Sequence, residues 1–130
     1  ERHEATAIRT HLASTDSLAK VLSGMRQTVT RGPARLLQGV PVAVAAKTGT
    51  AQNVPGKPPH AWVTVVAPVE SPEIVVVVMV EHAGEGATVA VPITNEILQW
   101  YFSHPHKNQE ASIKNQVHMG IKVVPVFLDP

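Results

Sequence analysis

Four consecutive residues, Lys47-Thr48-Gly49-Thr50, hold the densest chemistry in this chain. They combine an ammonium group, two hydroxyls and a residue with no side chain. Glycine lets a ligand approach the backbone closely. The threonine hydroxyls both donate and accept hydrogen bonds, and the lysine adds a full positive charge. Together these groups suit a carboxylate-bearing ligand lying along the edge of a strand. By themselves they are at least as well explained as a turn with no chemical role, because so short a motif takes its meaning from context.

Other chemistry-bearing residues are sparser. His82 lies between Glu81 and Glu85, but spacing places no third histidine with them, so no metal site is expected. His60 and Trp62 read as a strand-end histidine and a packed aromatic. His104 and His106 flank Pro105 in a polar stretch and read as solvated.

The motif needs elements to hold it. Leu18, Val21, Leu22, Met25 and Val29 form a one-sided stripe at helical spacing, after the capping chemistry of Thr15-Asp16-Ser17. Gly32-Pro33 stops that helix, which is expected over about 16–31. Short β-branched runs then predict strands at about 42–50, 60–67 and 74–81. The brief, proline-containing link between the second and third favours an antiparallel hairpin. The third, IVVVVMVE, is almost continuously apolar and reads as buried on both faces. Thr88 is a candidate cap for a second helix over about 89–102, with a stripe of Val89, Ile93, Ile97, Leu98, Tyr101 and Phe102. The expected class is α/β: two apolar helix faces covering a three-stranded antiparallel sheet. Residues 1–102 form this unit, and 103–130 a C-terminal tail. Within the tail, 121–128 has the character of a short edge strand or extended arm, since Pro125 cannot complete a central ladder.

Composition narrows the function classes. The 130 residues are 44% hydrophobic and 16% charged, with 11 Lys+Arg against 10 Asp+Glu, so the chain is neither a disordered tail nor a basic surface for nucleic acid. Cysteine is absent, which removes disulfide scaffolds and thiol nucleophiles. The longest apolar run, Ile74 to Val80, is far short of the roughly 20 residues of a membrane-spanning helix.

The surroundings of the tetrad supply its context. GMRQTVTRGPA (24–34), AAKTGTAQN (45–53), HAWVTVVAPVESPEIVVVVMVEHAGEG (60–86) and VPITNEILQWYF (91–102) resemble, in that order, the C-terminal part of the transpeptidase domain of class B penicillin-binding proteins, the elongation type above all. The resemblance implies the fold of serine penicillin-recognising enzymes. It also implies an activity, cross-linking of peptidoglycan stem peptides through an acyl-serine intermediate. The implied ligands are a stem peptide ending in D-Ala-D-Ala and the β-lactams that mimic it. The implied place is the outer face of the bacterial inner membrane, with an anchor expected upstream, and no cofactor is implied. It assigns Lys47 to positive potential and proton movement, Thr48, Gly49 and Thr50 to the ligand carboxylate, and the backbone N–H of Thr50 to half of an oxyanion hole.

This sequence also departs from the family pattern. The family's Ser-x-x-Lys nucleophile element and its Ser-x-Asn element normally lie far upstream of Lys-Thr-Gly. No Ser-x-Asn occurs here. One Ser-x-x-Lys does, Ser17-Leu18-Ala19-Lys20, but its segment matches the helix just before the Lys-Thr-Gly strand, so Ser17 reads as a capping residue. The nucleophile is expected outside this chain, and the remainder of the domain is then a required partner. The alternatives are a non-catalytic binding module, or a β-lactam sensor or β-lactamase of the same fold.

Overall fold

The computed structural model describes residues 13–104 and the strand at 121–127. Helix α1 runs Thr15–Thr30. Its cap is Ser14, one residue ahead of the expected Thr15-Asp16-Ser17 segment, and Ser14 Oγ accepts the backbone N–H of Ser17 at 3.1 Å. The cap must sit in extended backbone, which Ser14 does (φ −73°, ψ 152°), whereas Ser17 already lies in the first turn. At the other end the N–H groups of Arg31 and Gly32 both donate to Gln27 O, and Pro33 blocks continuation. A single turn of 3-10 helix, Arg35–Gly39, follows; the sequence reading leaves it as a connection. Gln38 Nε2 reaches back to Val29 O at 3.0 Å and ties this turn to α1.

Strands β1 (Ala45–Ala51), β2 (His60–Ala67) and β3 (Ile74–Val80) form the expected antiparallel meander. A fourth strand, β4 (Ile121–Phe127), pairs antiparallel with β3, so among the described residues the order is β1-β2-β3-β4 and β1 is an edge. Pro125 sits opposite Val76 on the outermost strand, a place where a missing N–H is tolerated.

Alternation decides which face is the core. The register pairs Val63 with Val78, Val65 with Val76 and Ala67 with Ile74. All six are buried, and they share one cluster with Val29 of α1, Leu37 of the 3-10 turn and Val91, Leu98 and Tyr101 of the second helix, α2 (Ala90–Ser103). The opposite face pairs Trp62 with Met79, Thr64 with Val77 and Val66 with Val75. There only Met79 is buried, so β3 is covered fully on one face and partly on the other, short of the two-sided burial its composition suggests.

Helix α2 spans Ala90–Ser103 and packs its Ala90, Val91, Thr94, Leu98 and Tyr101 inward. Thr88 does not cap it. Its hydroxyl donates to Glu85 O at 3.1 Å within the preceding turn, and the cap position falls to Val89, which has no side-chain acceptor. Among the described residues no helix is long and apolar enough to cross a membrane.

Candidate functional site

Lys47, Thr48, Gly49 and Thr50 all lie in β1, opposite Thr64, Val63, Trp62 and Ala61 of β2. The short β-branched and alanine-rich run before them makes a strand, and the proline-rich loop at 52–59 ends it. Period two puts Thr48 and Thr50 on the same face as buried Ala46, while Lys47 projects from the other. Thr48 is half-buried, and Lys47 and Thr50 are exposed. Among the described residues neither threonine hydroxyl has a hydrogen-bond partner.

Antiparallel pairing turns the peptide groups of alternate residues toward the partner strand and those between them away. Two contacts fix the phase. Ala43 O, in step with Gly49, accepts Val69 N–H from the β2 side at 2.9 Å. Thr48 O instead accepts the ammonium of the exposed Lys47 side chain at 2.6 Å. The amides of Thr48 and Thr50 therefore face the open edge. The strand presents two N–H donors along that edge, with the hydroxyls of Thr48 and Thr50 on one face and Lys47 on the other.

The flanking loops are built around His60. Its Nδ1 accepts the backbone N–H of His82 at 3.0 Å. A neutral ring then carries its proton on Nε2, which lies 3.0 Å from the Asn53 amide; that proton needs an acceptor, so the amide oxygen belongs toward the ring. His82 Nδ1 lies 3.2 Å from Pro58 O, and the two imidazoles are 4.6 Å apart, centroid to centroid. His82 takes a left-handed backbone conformation, φ 51°, at the start of this turn. The sequence gives no sign of these ties, because His60 and His82 are 22 residues apart. Trp62 is 37% exposed and stands beside Gly49 on the outer face. Among the described residues no three His, Cys, Asp or Glu side chains gather to hold a metal. His104 stacks on Trp100 at 4.8 Å, and His106 lies outside the described residues. Burial raises the pKa of the Tyr101 phenol above its ordinary value, and the charge of Glu73 adds to the rise.

Comparison with known proteins bears on the family and the fold. Residues 4–99 match the model of the penicillin binding protein transpeptidase domain. The chain is 35% identical over 74 residues to the peptidoglycan D,D-transpeptidase MrdA of Haemophilus influenzae, covering 46% of this chain and 11% of that protein. Among solved structures it resembles penicillin-binding protein 2 of Pseudomonas aeruginosa, crystallised with WCK 5153, with TM-score 0.68 and 29% identity over 82% of this chain and 24% of that one. It also resembles penicillin-binding protein 2 of Helicobacter pylori in its complex with MreC, with TM-score 0.57 and 26% identity over 68% of this chain and 17% of that one. The chain thus spans about a tenth of the MrdA relative's length.

Proposed function

Since the chain belongs to the penicillin-binding protein transpeptidase family, we propose that it forms one wall of the active site of a peptidoglycan D,D-transpeptidase working in the bacterial cell envelope, on the outer face of the inner membrane. The observation that carries this is the open edge of β1. Thr50 N–H, the unpartnered hydroxyls of Thr48 and Thr50, and the exposed Lys47 all belong to one unpaired strand edge.

In this reading a serine from outside the chain attacks the penultimate D-Ala carbonyl of a stem peptide. The carbonyl oxygen gains charge as the tetrahedral intermediate forms, and the Thr50 N–H donates to it. Such a donor acts mainly in the transition state, where it is aimed at charge absent from the substrate. The two hydroxyls donate to the terminal carboxylate and set the peptide in register along β1. Lys47 supplies positive potential that favours the carboxylate and aids proton movement. D-Ala then leaves, and an amine of a second stem resolves the acyl-enzyme. β-Lactams follow the first half of this path and stop at the acyl stage.

The remainder of the transpeptidase domain is the partner this reading requires. Apolar surface on this segment is consistent with it: Leu18 and Val21, at the start of the α1 stripe, are 54% and 58% exposed, and Leu36 of the 3-10 turn is 52% exposed.

Labelled penicillin tests the reading. The full-length protein should form a covalent adduct on a serine outside these 130 residues, and the 130-residue chain alone should form none. A stoichiometric adduct on the isolated chain would refute the assignment, and one mapped to Ser17 would reverse it.

A further inference from the structure

The loop between β3 and α2, residues 81–89, is held at both ends. Its first half is fixed to β2 and the preceding loop: His82 N–H donates to the His60 ring, and Gly84 N–H donates to Pro59 O at 3.0 Å. Its second half is fixed to α2, because the N–H groups of Ala90 and Val91 both donate to Gly86 O at 3.0 Å. Between these anchors Gly86 is buried and crosses the Gly49–Trp62 pair of the sheet. A Cβ placed on Gly86 would overlap Trp62 O outright and would lie 2.5 Å from Gly49 O and 3.2 Å from Gly49 N. All three are backbone atoms, so no rotamer change relieves the overlap.

We propose that Gly86 is a positioning residue for the Lys47–Thr50 strand: its missing side chain sets how closely the loop lies on the Gly49 peptide, and so where the Thr50 N–H points. This deepens the transpeptidase reading and rests on it. Trp62 belongs to β2, which is hydrogen-bonded on both sides. Gly86 itself is tied to the first turn of a helix whose Ala90 and Val91 are buried. Strand β1 is held by a ladder on one side only and is the compliant member. A methyl group on residue 86 therefore lifts the loop off Trp62 O and, because strand β1 is the compliant neighbour, also shifts Gly49, the residue before the proposed oxyanion donor. Restoring ordinary contact to Gly49 O needs a shift of just under about 1 Å, and a misplacement of that size can cost roughly 100-fold in rate.

The test uses the full-length protein and Gly86→Ala, with two readouts. The first is acylation by a fluorescent penicillin, resolved into initial binding and the acylation step. The second is amide hydrogen exchange of segment 45–51, which requires no chemistry. The expected result is a folded protein in which the amides of the β1–β2 ladder exchange at least about tenfold faster while those of the β2–β3 ladder do not change, and whose acylation step slows about 10- to 100-fold. Gly24→Ala is the control, since a Cβ there meets nothing within 4 Å, and it should leave both readouts unchanged. Should Gly86→Ala fail to fold, His60→Ala releases the same loop from its other anchor and should also speed β1 exchange and slow acylation.

Exchange and acylation at wild-type values in Gly86→Ala overturn the proposal, as does a uniform rise in exchange across all strands. So does faster β1 exchange with acylation unchanged, for the strand would then move without consequence. If Gly86→Ala does not fold and His60→Ala behaves as wild type, the proposal is equally overturned. If the unmutated full-length protein does not react with penicillin, the transpeptidase reading fails with this extension of it, and the exchange arm still reports whether Gly86 holds β1.

Discussion

Replacing Thr50 separates its two proposed contributions, because the hydroxyl belongs to the side chain and the N–H to the backbone. Thr50→Val removes the hydroxyl and keeps the amide. Thr50→Pro removes both. A proline inside a sheet normally destroys a ladder bond, but the Thr50 amide faces the open side of an edge strand, so no ladder bond is lost and the fold should tolerate the change. The side chain is exposed, so neither variant opens a cavity. For Thr50→Val the lost interaction is a hydrogen bond to a charged carboxylate, worth about 1.5–3 kcal/mol, or roughly 10- to 150-fold. That loss should fall mostly on initial binding, because the carboxylate is equally charged before and during the reaction. For Thr50→Pro a further factor of about 100–1,000 should appear in the acylation step, where the oxyanion develops.

The assay is single-turnover acylation of the full-length protein by a fluorescent penicillin over a range of concentrations. It yields a dissociation constant for the first complex and a rate constant for acylation. Thermal unfolding of the same samples checks that both variants are folded. Thr50→Pro acylating within about threefold of Thr50→Val would refute the reasoning, since the amide would then contribute nothing that a hydroxyl-free side chain lacks.

Three further outcomes follow from the fold. Leu98→Ala removes a side chain with 0% exposure from the centre of the α2–sheet core and should destabilise by about 2–5 kcal/mol, read as a shift in the urea midpoint at constant slope. Ser14→Ala removes the α1 cap and should cost about 1 kcal/mol by the same measurement. Because Tyr101 has its pKa raised on folding, the native state holds that proton more tightly than the unfolded chain does. Its contribution is fully present below the ordinary phenol pKa near 10 and is lost as pH rises through the higher folded value. Thr50→Val should keep this alkaline decline in stability, and Tyr101→Phe should flatten it in a pH series of thermal melts.

Helix α1, the β2–β3 hairpin and α2 were legible because their signals are local and periodic. The valine runs demand a buried pleated face, and Gly32-Pro33 can only stop a helix. The Lys47–Thr50 tetrad was legible for a different reason, since its flanking segments carry the resemblance to one family. What remained hidden depends on contacts across the chain. Ser14 rather than its neighbours caps α1 because of a backbone angle, and Thr88 fails as a cap because its hydroxyl is already engaged. His60 looks like any strand-end histidine until the turn after β3 brings the His82 amide onto its ring. Gly86 is one of two glycines in a loop that would need them for flexibility alone. Nothing in the sequence says that it lies on Gly49.

An unpaired strand edge exposes donors and acceptors that invite pairing with another chain, and a site built on one must keep that edge open without letting it aggregate. Several features of β1 meet both demands. The strand is seven residues long and ends in a loop carrying Pro55, Pro58 and Pro59, which cannot extend a ladder. Lys47 places a charge on the edge, and its ammonium occupies Thr48 O, one of the outward acceptors. The N–H groups of Thr48 and Thr50 are left as outward donors with no such cover from the same strand. The lysine thus occupies one outward acceptor of the edge while leaving the Thr50 N–H, the proposed oxyanion donor, open. This accounts for a charged residue immediately before the Thr48-Gly49-Thr50 run, an order that simple closure of a sheet would not require.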